Sequence, residues 1–339
     1  MNIKELYPWL GVLWEGLEQR IGAGRLPHAL LLQGPGGLGK AAFARHLAAR
    51  LFCEAPEEGR ACGRCQGCTL FEAGSHPDHF HVTLEINEKT GKEKTAIGID
   101  QIRELCRQLS LTASEGGHKV GVIHPADLMT TEAANSLLKT LEEPTDNTVL
   151  VLVTERPMRL PATVRSRCQV VRFTAPDPAT ALPWLEAQLG EEAAGAGALL
   201  AVADGAPLKA LELARNQGLA ARRAWLEQLA GLQEGRLDPV AVADEWAKDE
   251  ALRPLHWFTA WIMDMIRLRL GSGKGLRNRD LGEPLAAMAG RMQPLALERL
   301  LEKAWEALRL TTTQVNRQLL VEDVLLSWVR EARQSRQES

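Results

Sequence analysis

The chain has 339 residues, of which 45% are hydrophobic and 24% charged, and its formal net charge is −3. This length allows two or three domains with cores of their own, and the composition is that of ordinary globular proteins. The slightly acidic balance argues against a protein that grips DNA by itself through a broad basic face. The longest apolar runs are too short for a membrane span and the first residues lack a signal-peptide core, so we expect a cytoplasmic protein with no membrane partner.

From Pro27 to about Phe173, short apolar runs alternate with helical patterns, which is typical of a parallel β-sheet flanked by helices. Asp100 is expected to cap one of these helices, and another is expected to begin near Thr130 and to end before Pro144. The predicted strands are Ala29–Gln33, His79–Leu84, Val120–His124, Thr148–Thr154 and Gln169–Phe173.

The segment Gly34-Pro-Gly-Gly-Leu-Gly39-Lys40-Ala41 fits the phosphate-loop pattern G-x-x-x-x-G-K-[ST] at every position except the last. It lies between a predicted strand and a predicted Ala-rich helix, where backbone N–H groups and the helix N-terminus can surround a phosphate. Ala41 replaces the hydroxyl residue that would hold Mg²⁺, so we expect weak or no ATP binding, and binding without turnover stays open. The residues expected to line this degenerate cradle are Gly34, Gly36, Gly37, Gly39 and Lys40.

A second phosphate-chemistry motif is damaged at the end of the predicted strand Val120–His124. In nucleotide-hydrolysing folds two adjacent acids follow such a strand, one holding the metal and the next orienting the attacking water. Here His124 and Pro125 stand in those places, and Asp127 is too far along the chain for its side chain to replace them. We therefore predict that the chain does not hydrolyse ATP alone.

Four of the six cysteines are bunched as Cys53, Cys62, Cys65 and Cys68. This spacing can close a tetrahedral cage around Zn²⁺, and four sulfur ligands leave no open position, so the metal would be structural. The alternative is a reduced, metal-free loop, although the segment between Glu54 and Gly67 is so polar and Gly-rich that we expect it to need a metal to fold. Cys106 and Cys168 are expected to be buried thiols.

After a predicted hinge at Ala175-Pro-Asp-Pro178 the strand signals vanish and helical patterns continue to the end. Six of the nine tryptophans lie beyond residue 217. Trp257 and Trp261 stand one turn apart on an apolar helix face, which favours a core position, with a subunit interface as the alternative. We expect the chain to contain an α/β domain followed by helical domains.

The segment between Glu155 and Phe173 contains five arginines and one acid. A solvated basic loop is the plain interpretation. An Arg at the end of such a sheet can also reach across a subunit boundary to a neighbour's γ-phosphate, where it accelerates hydrolysis by about 10³ to 10⁵.

Taken together, several segments resemble bacterial clamp-loader subunits of the AAA+ class. They are Lys139-Thr-Leu-Glu-Glu-Pro144, Ser166-Arg167-Cys168, the four-cysteine insertion and Asn316-Arg-Gln-Leu-Leu-Val-Glu-Asp323. The resemblance spans nearly the whole chain. It implies an AAA+ domain with a P-loop, RecA-like parallel sheet over 1–175, carrying a zinc-binding insertion at 53–68. A small helical lid over 176–216 and an all-α collar over 217–339 would follow.

The same resemblance implies roles for single residues. Arg167 would be a finger acting in trans on the ATP of an adjacent motor subunit, and Cys53, Cys62, Cys65 and Cys68 would correspond to the family's zinc ligands. Thr154 matches the position called sensor 1, while Leu208 stands where active relatives carry a sensor-2 Arg. The implied partners are other subunits of a five-subunit ring, a sliding clamp and primed DNA.

The leading hypothesis is a non-hydrolysing subunit of a machine that opens a ring-shaped clamp and leaves it on primed DNA. One alternative is a self-sufficient AAA+ ATPase motor, whose turnover would depend on Lys40. Another is a zinc-dependent nucleic-acid-binding module, which would bind DNA in a salt-sensitive manner.

Overall fold

The chain is described by a computed structural model over residues 5–87, 91–113, 117–216, 218–249, 252–272, 275–311 and 315–337. The strands are β1 (Ala29–Gln33), β2 (His79–Val82), β3 (Lys119–Ile123), β4 (Thr148–Thr154) and β5 (Gln169–Arg172). The helices are α1 (Gly11–Gly22), α2 (Lys40–Phe52), α3 (Gln66–Glu72), α4 (Ile99–Ser110), α5 (Thr131–Ser136), α6 (Leu138–Glu142), α7 (Ala162–Arg165), α8 (Pro178–Leu189), α9 (Ala196–Val202), α10 (Pro207–Arg215), α11 (Gly218–Glu234), α12 (Pro239–Ala247), α13 (Arg253–Arg269), α14 (Gly282–Gly290), α15 (Pro294–Leu310) and α16 (Arg317–Gln337). Short 3-10 helices occur at Pro8–Leu10, Ala126–Leu128, Pro157–Arg159, Gly190–Gly195 and Arg279–Leu281.

The chain forms two compact units. The first comprises Met1–Trp184 and Ala206–Lys209, and the second comprises Leu185–Gly205 and Ala210–Ser339. The division into domains at residues 175 and 216 stays a prediction.

The first unit is built on a five-stranded parallel sheet with the order β2-β3-β4-β1-β5. Side chains alternate along each strand, so Leu30 and Leu32 of β1 enter one core while Leu31 enters the other. The first core is completed by α1 and α2, and the second by α4 and α5. Both faces of the sheet are therefore covered, as all-parallel sheets require.

The predicted strands all form, with small differences at their ends. β2 and β3 pair only as far as Val82 and Ile123, after which the His124 N–H donates to the Val82 carbonyl at 2.9 Å. Pro125 follows and has no N–H to extend the ladder, so β2 ends two residues before the predicted Leu84.

The predicted cap at Asp100 is wrong. The backbone stays extended at Ile97, whose N–H donates to Leu128 O at 2.8 Å and whose carbonyl accepts from Thr130 N–H at 3.0 Å. Helix α4 can then begin at Ile99, with Gly98 as its N-cap and Asp100 in its first turn. The Gly98 N–H donates to the side-chain oxygen of Gln101 at 3.1 Å. The predicted start near Thr130 is confirmed, because its hydroxyl accepts from Ala133 N–H ahead of α5.

The second unit is helical in its described residues, and its core is centred on tryptophans. Trp246, Trp261 and Trp328 are fully buried, and Trp257 is 8% exposed. The apolar face that carries Trp257 and Trp261 is thus a core face within this chain, as the first of the two interpretations predicts. The Trp328 indole N–H donates to Leu229 O at 3.1 Å, which satisfies its polar atom inside the core.

In the described part of the chain, no single helix is long and apolar enough to cross a membrane. Two helical segments joined at a sharp bend, Ala193–Val202 and Pro207–Arg215, reach that length and apolar content only when they are counted together.

Candidate functional site

The phosphate-loop segment lies at the carboxyl end of β1 and leads into the N-terminus of α2, as the sequence predicts. Gly34, Gly37 and Gly39 have φ angles of 151°, 75° and 90°, which side-chain-bearing residues rarely adopt. The five residues predicted to line the cradle are thus brought together in one turn between strand and helix.

The protein's own groups pack closely against this loop. A Cβ built on Gly36 would lie 2.6 Å from the Glu155 carboxylate, and one on Gly39 would lie 2.8 Å from the Tyr7 ring. The Trp9 indole N–H donates to Leu38 O at 3.0 Å. The loop is thus in close contact with a carboxylate and two aromatic side chains.

The middle of the loop, at Gly37, is contacted by main chain from the start of α10. Leu208 N–H donates to Gly37 O at 3.1 Å, and a Cβ built on Gly37 would lie 2.7 Å from the backbone nitrogen of Lys209. Leu208, predicted to stand in place of a sensor-2 Arg, therefore lies beside the loop and meets it through its backbone.

Lys40 is 5% exposed and is engaged by its own loop. Its ammonium donates to Gly34 O at 2.7 Å and to Pro35 O at 2.5 Å, and lies 4.0 Å from a carboxylate oxygen of Glu155. Burial lowers the pKa of Lys40, while Glu155 and Asp127 act in the opposite direction. The two carbonyls thus accept from two of the three donors of this ammonium, which leaves one for a terminal phosphate.

Three further polar residues lie near Lys40, at or just beyond the carboxyl ends of β3 and β4. They are His124, Asp127 and Thr154. Asp127 accepts from the Thr154 hydroxyl at 2.8 Å and from Glu155 N–H at 3.3 Å, so it caps the end of β4. Burial lowers the pKa of His124, and the charge of Lys40 lowers it further, which favours the neutral imidazole. His124 and Pro125 supply no carboxylate where the motif needs one, and Asp127 is occupied locally.

The sequence analysis missed Glu155 as a residue of this site. It follows directly after β4, and β4 pairs in parallel with β1, so their carboxyl ends share one edge of the sheet. That pairing was the available signal, but the motif positions gave no reason to look beyond Thr154.

The four predicted cysteines form a compact cluster. Cys53 follows α2, Cys62 lies in the intervening loop, Cys65 is the N-cap of α3, and Cys68 lies in its first turn. Their Sγ atoms all lie within 4.8 Å of one another, and three of the residues are buried. Zn–S bonds of about 2.3 Å in a tetrahedron place sulfur atoms about 3.8 Å apart. The cluster can therefore close on a zinc-sized ion after small adjustments.

Backbone N–H groups around the cluster favour thiolates. Cys62 N–H donates to Cys53 Sγ at 3.2 Å, and Cys68 N–H donates to Cys65 Sγ at 3.5 Å. Bonds from the Arg64 and Cys65 backbones lower the pKa of Cys62 to about 6, whereas burial raises the pKa of Cys53 and Cys68. Buried thiols that converge on one point with N–H donors directed at sulfur fit a cation that would stabilise all four as thiolates.

The remaining cysteines lie elsewhere. Cys168 is buried, as predicted, and burial raises its pKa to about 11. Cys106, on α4, is half-buried and packs against the same core cluster as Cys168, so the prediction of a buried thiol holds only in part for this residue.

Arg167 lies on the turn between α7 and β5, and its side chain is 36% exposed. One terminal nitrogen, Nη2, lies 2.6 Å from Glu142 Oε1, and the other, Nη1, donates to Thr163 O at 2.9 Å. The guanidinium is thus held at the surface of the first unit. The sequence analysis named the segment that contains Glu142 but gave that residue no role.

Two family models match this chain. One, described as "DNA polymerase III, delta subunit", matches residues 11–177, and the other, described as "DNA polymerase III, delta subunit, C terminal", matches residues 216–330.

Full-length relatives agree with these matches. A protein named DNA polymerase III subunit delta' from Pseudomonas aeruginosa is 37% identical over 96% of this chain and 97% of its own length. A protein of the same name from Escherichia coli is 34% identical over 94% of each chain. A solved DNA polymerase III gamma subunit-related protein from Thermotoga maritima aligns with a TM-score of 0.46 and 17% identity, covering 94% of this chain and 99% of that one.

Proposed function

This chain belongs to the family of DNA polymerase III delta-prime subunits, and from that premise we propose that it is a stator, a clamp-loader subunit that hydrolyses no ATP itself. Membership makes it a clamp-loader subunit of DNA polymerase III, with other clamp-loader subunits as its partners. The proposal adds the state of its nucleotide site, the role of Arg167 and the place of the chain in a ring.

The observation that carries the proposal is the engagement of Lys40 by its own loop. Two main-chain carbonyls accept from its ammonium, and the Glu155 carboxylate lies against Gly36. A nucleotide's terminal phosphates would meet an ammonium with one donor left and would approach a carboxylate of like charge. Ala41 offers no hydroxyl for Mg²⁺, and His124 and Pro125 offer no carboxylate. Weak or no ATP binding and no turnover follow.

Arg167 then contributes to catalysis on a neighbour. Its side chain is partly exposed on the first unit, at the turn that leads into the edge strand β5. In the proposed five-subunit ring, with gamma or tau motor subunits and delta as the other members, this guanidinium faces the ATP of an adjacent motor subunit. The ring opens a sliding clamp and leaves it on primed DNA during chromosomal replication. The chain is no enzyme alone but part of a nucleotidyltransferase holoenzyme.

Zinc is the metal we propose for Cys53, Cys62, Cys65 and Cys68. Four sulfur donors match its preference and leave no site for substrate, so its role is to hold the insertion between α2 and α3 in place.

The test is nucleotide binding and turnover by the isolated chain. Mg-ATP titrated into the purified protein should give no saturable binding below about millimolar concentration, a level at which binding is worth about 4 kcal/mol. Phosphate release should equal that of the Lys40→Ala variant. The motor-ATPase alternative predicts steady turnover that Lys40→Ala abolishes, and tight binding or such turnover would contradict the proposal.

A further inference from the structure

The segment Lys139-Thr-Leu-Glu-Glu-Pro144 and the segment Ser166-Arg167-Cys168 are joined in the structure by one ion pair. Glu142 Oε1 lies 2.6 Å from Arg167 Nη2, although the two residues are far apart in the chain. We infer that Glu142 is a positioning residue, which fixes the direction of the Arg167 guanidinium before an ATP-bearing neighbour meets it. This inference rests on the proposed trans role of Arg167.

Both segments are anchored to the same core by their apolar members. Leu141 and Cys168 belong to the buried cluster on one face of the sheet, which also contains Val164 of α7. Because these anchors are fixed, helices α6 and α7 pack against each other and their neighbouring polar residues emerge side by side. Glu142 and Arg167 are those residues, and both side chains are partly exposed.

The guanidinium is held at two points. Nη2 forms an ion pair with Glu142, and Nη1 donates to Thr163 O at 2.9 Å. These contacts fix the plane of a side chain that otherwise has several rotatable bonds and a rotamer entropy of about 2 kcal/mol. An arginine has five N–H donors, of which Thr163 O accepts one, so others remain for a ligand beside the ion pair with Glu142. The group is therefore oriented and still able to donate to phosphate oxygens.

Glu142 has a second effect, because its negative charge reduces the attraction of Arg167 for an anion. In an exposed pair that charge acts through water and is screened. We assign the larger effect to orientation, and this choice makes a distinct prediction. Glutamine at 142 keeps a side-chain oxygen that can accept from Arg167 but removes the charge, so it should preserve the positioning. Alanine removes both.

The experiment uses the clamp-loader complex reconstituted with its motor subunits, and it measures kcat and KM for ATP with clamp and primed DNA present. The finger-dependent ATPase is the difference between complexes that contain the unaltered chain and those that contain Arg167→Ala. Glu142→Ala should lower this difference about two- to five-fold, as expected from an exposed pair worth up to about 1 kcal/mol, through kcat and with KM nearly unchanged. Glu142→Gln should retain most of it.

Glu143→Ala is the matched control, because Glu143 is the next acid in the same segment and is also exposed. It should leave kcat unchanged. In the Arg167→Ala background, Glu142→Ala should have no further effect, since nothing is left to position. Size-exclusion chromatography checks that every variant enters the complex.

Two results would overturn the positioning role while leaving the finger intact. One is Glu142→Ala with unchanged or raised ATPase, and the other is Glu142→Gln with the same loss as Glu142→Ala. If Arg167→Ala itself leaves the ATPase of an assembled complex unchanged, the trans role fails and the role of Glu142 fails with it.

Discussion

Gly34 is the residue that ties the phosphate loop to the sheet. Its N–H donates to Thr154 O at 3.3 Å, and its φ angle is 151°. A Cβ built on it would lie 2.2 Å from the carbonyl oxygen of Phe173, which is main chain and cannot rotate away. The loop conformation therefore depends on glycine here even though the site is not expected to turn over nucleotide.

We expect Gly34→Ala to lower the free energy of unfolding by about 3 kcal/mol, because the new methyl group forces the ends of β1 and β5 apart in a strained conformation. Urea unfolding followed by far-UV circular dichroism measures the change.

Gly16→Ala is the control for that substitution. Gly16 lies inside α1, and a Cβ there would have no atom within 4 Å. This variant should be more stable than the parent by about 0.5–1 kcal/mol, since alanine favours a helix. Equal stability of Gly34→Ala and the parent chain would contradict this prediction, because it would mean that the ends of β1 and β5 can move apart at little cost in free energy.

The site residues that the sequence did not predict are those whose partners lie far away in the chain. The cradle glycines, Lys40 and the four cysteines stand in patterns whose spacing alone predicts a turn or a cage, and the structure brings each set together. Glu155 and Glu142 became recognisable only when strand order and helix packing placed them beside Gly36 and Arg167. A local pattern carries no information about such partners.

At the scale of elements, the strands were predictable because buried parallel strands are continuous apolar runs. β1 and β4 have the predicted bounds, and every residue of β4 is buried. The end of β2 was harder to predict, because it depends on where the pairing with β3 stops, just before Pro125. The start of α4 was missed for a similar reason, since Ile97 is held extended by Leu128 and Thr130.

We expect the insertion between α2 and α3 to depend on the four thiols at its ends and within it. It contains few apolar residues, so we expect metal removal to unfold it while the sheet remains. The purified chain should carry one zinc per molecule. Cys62→Ser should abolish this content and make the segment between Cys53 and Cys68 sensitive to protease, because a zinc site that loses a thiolate loses much of its affinity.

Cys106→Ser provides the matched control for metal content. Cys106 lies on α4, and its thiol lies 3.9 Å from Ser136 O, outside the cluster. Zinc measured by atomic emission should stay at one per molecule in this variant. A chain that has no zinc as purified under metal-replete conditions, or that keeps it after Cys62→Ser, would contradict the assignment.

At the scale of the whole molecule, the net charge of −3 bears on whether the chain alone can bind DNA. Acidic and basic residues nearly balance, so the electrostatic gain from counterion release is small.

We therefore expect the isolated chain to bind a primed duplex no more tightly than about 10⁻⁴ to 10⁻⁶ M at physiological salt, the range of non-specific binding. Fluorescence anisotropy of a labelled duplex measures it, and chelation should leave the value unchanged. Tighter binding that falls both with salt and with zinc removal would favour the zinc-dependent DNA-binding alternative.

The tryptophans of the second unit differ sharply in their exposure to water. Trp246, Trp261 and Trp328 are fully enclosed, whereas Trp305 on α15 is 51% exposed. It is the most exposed of the nine tryptophans, all of which lie within the described ranges. Acrylamide should therefore quench this indole more strongly than the other tryptophans of the free chain. The quenching constant becomes a label-free reporter of whether that stretch of α15 is covered when other proteins are added.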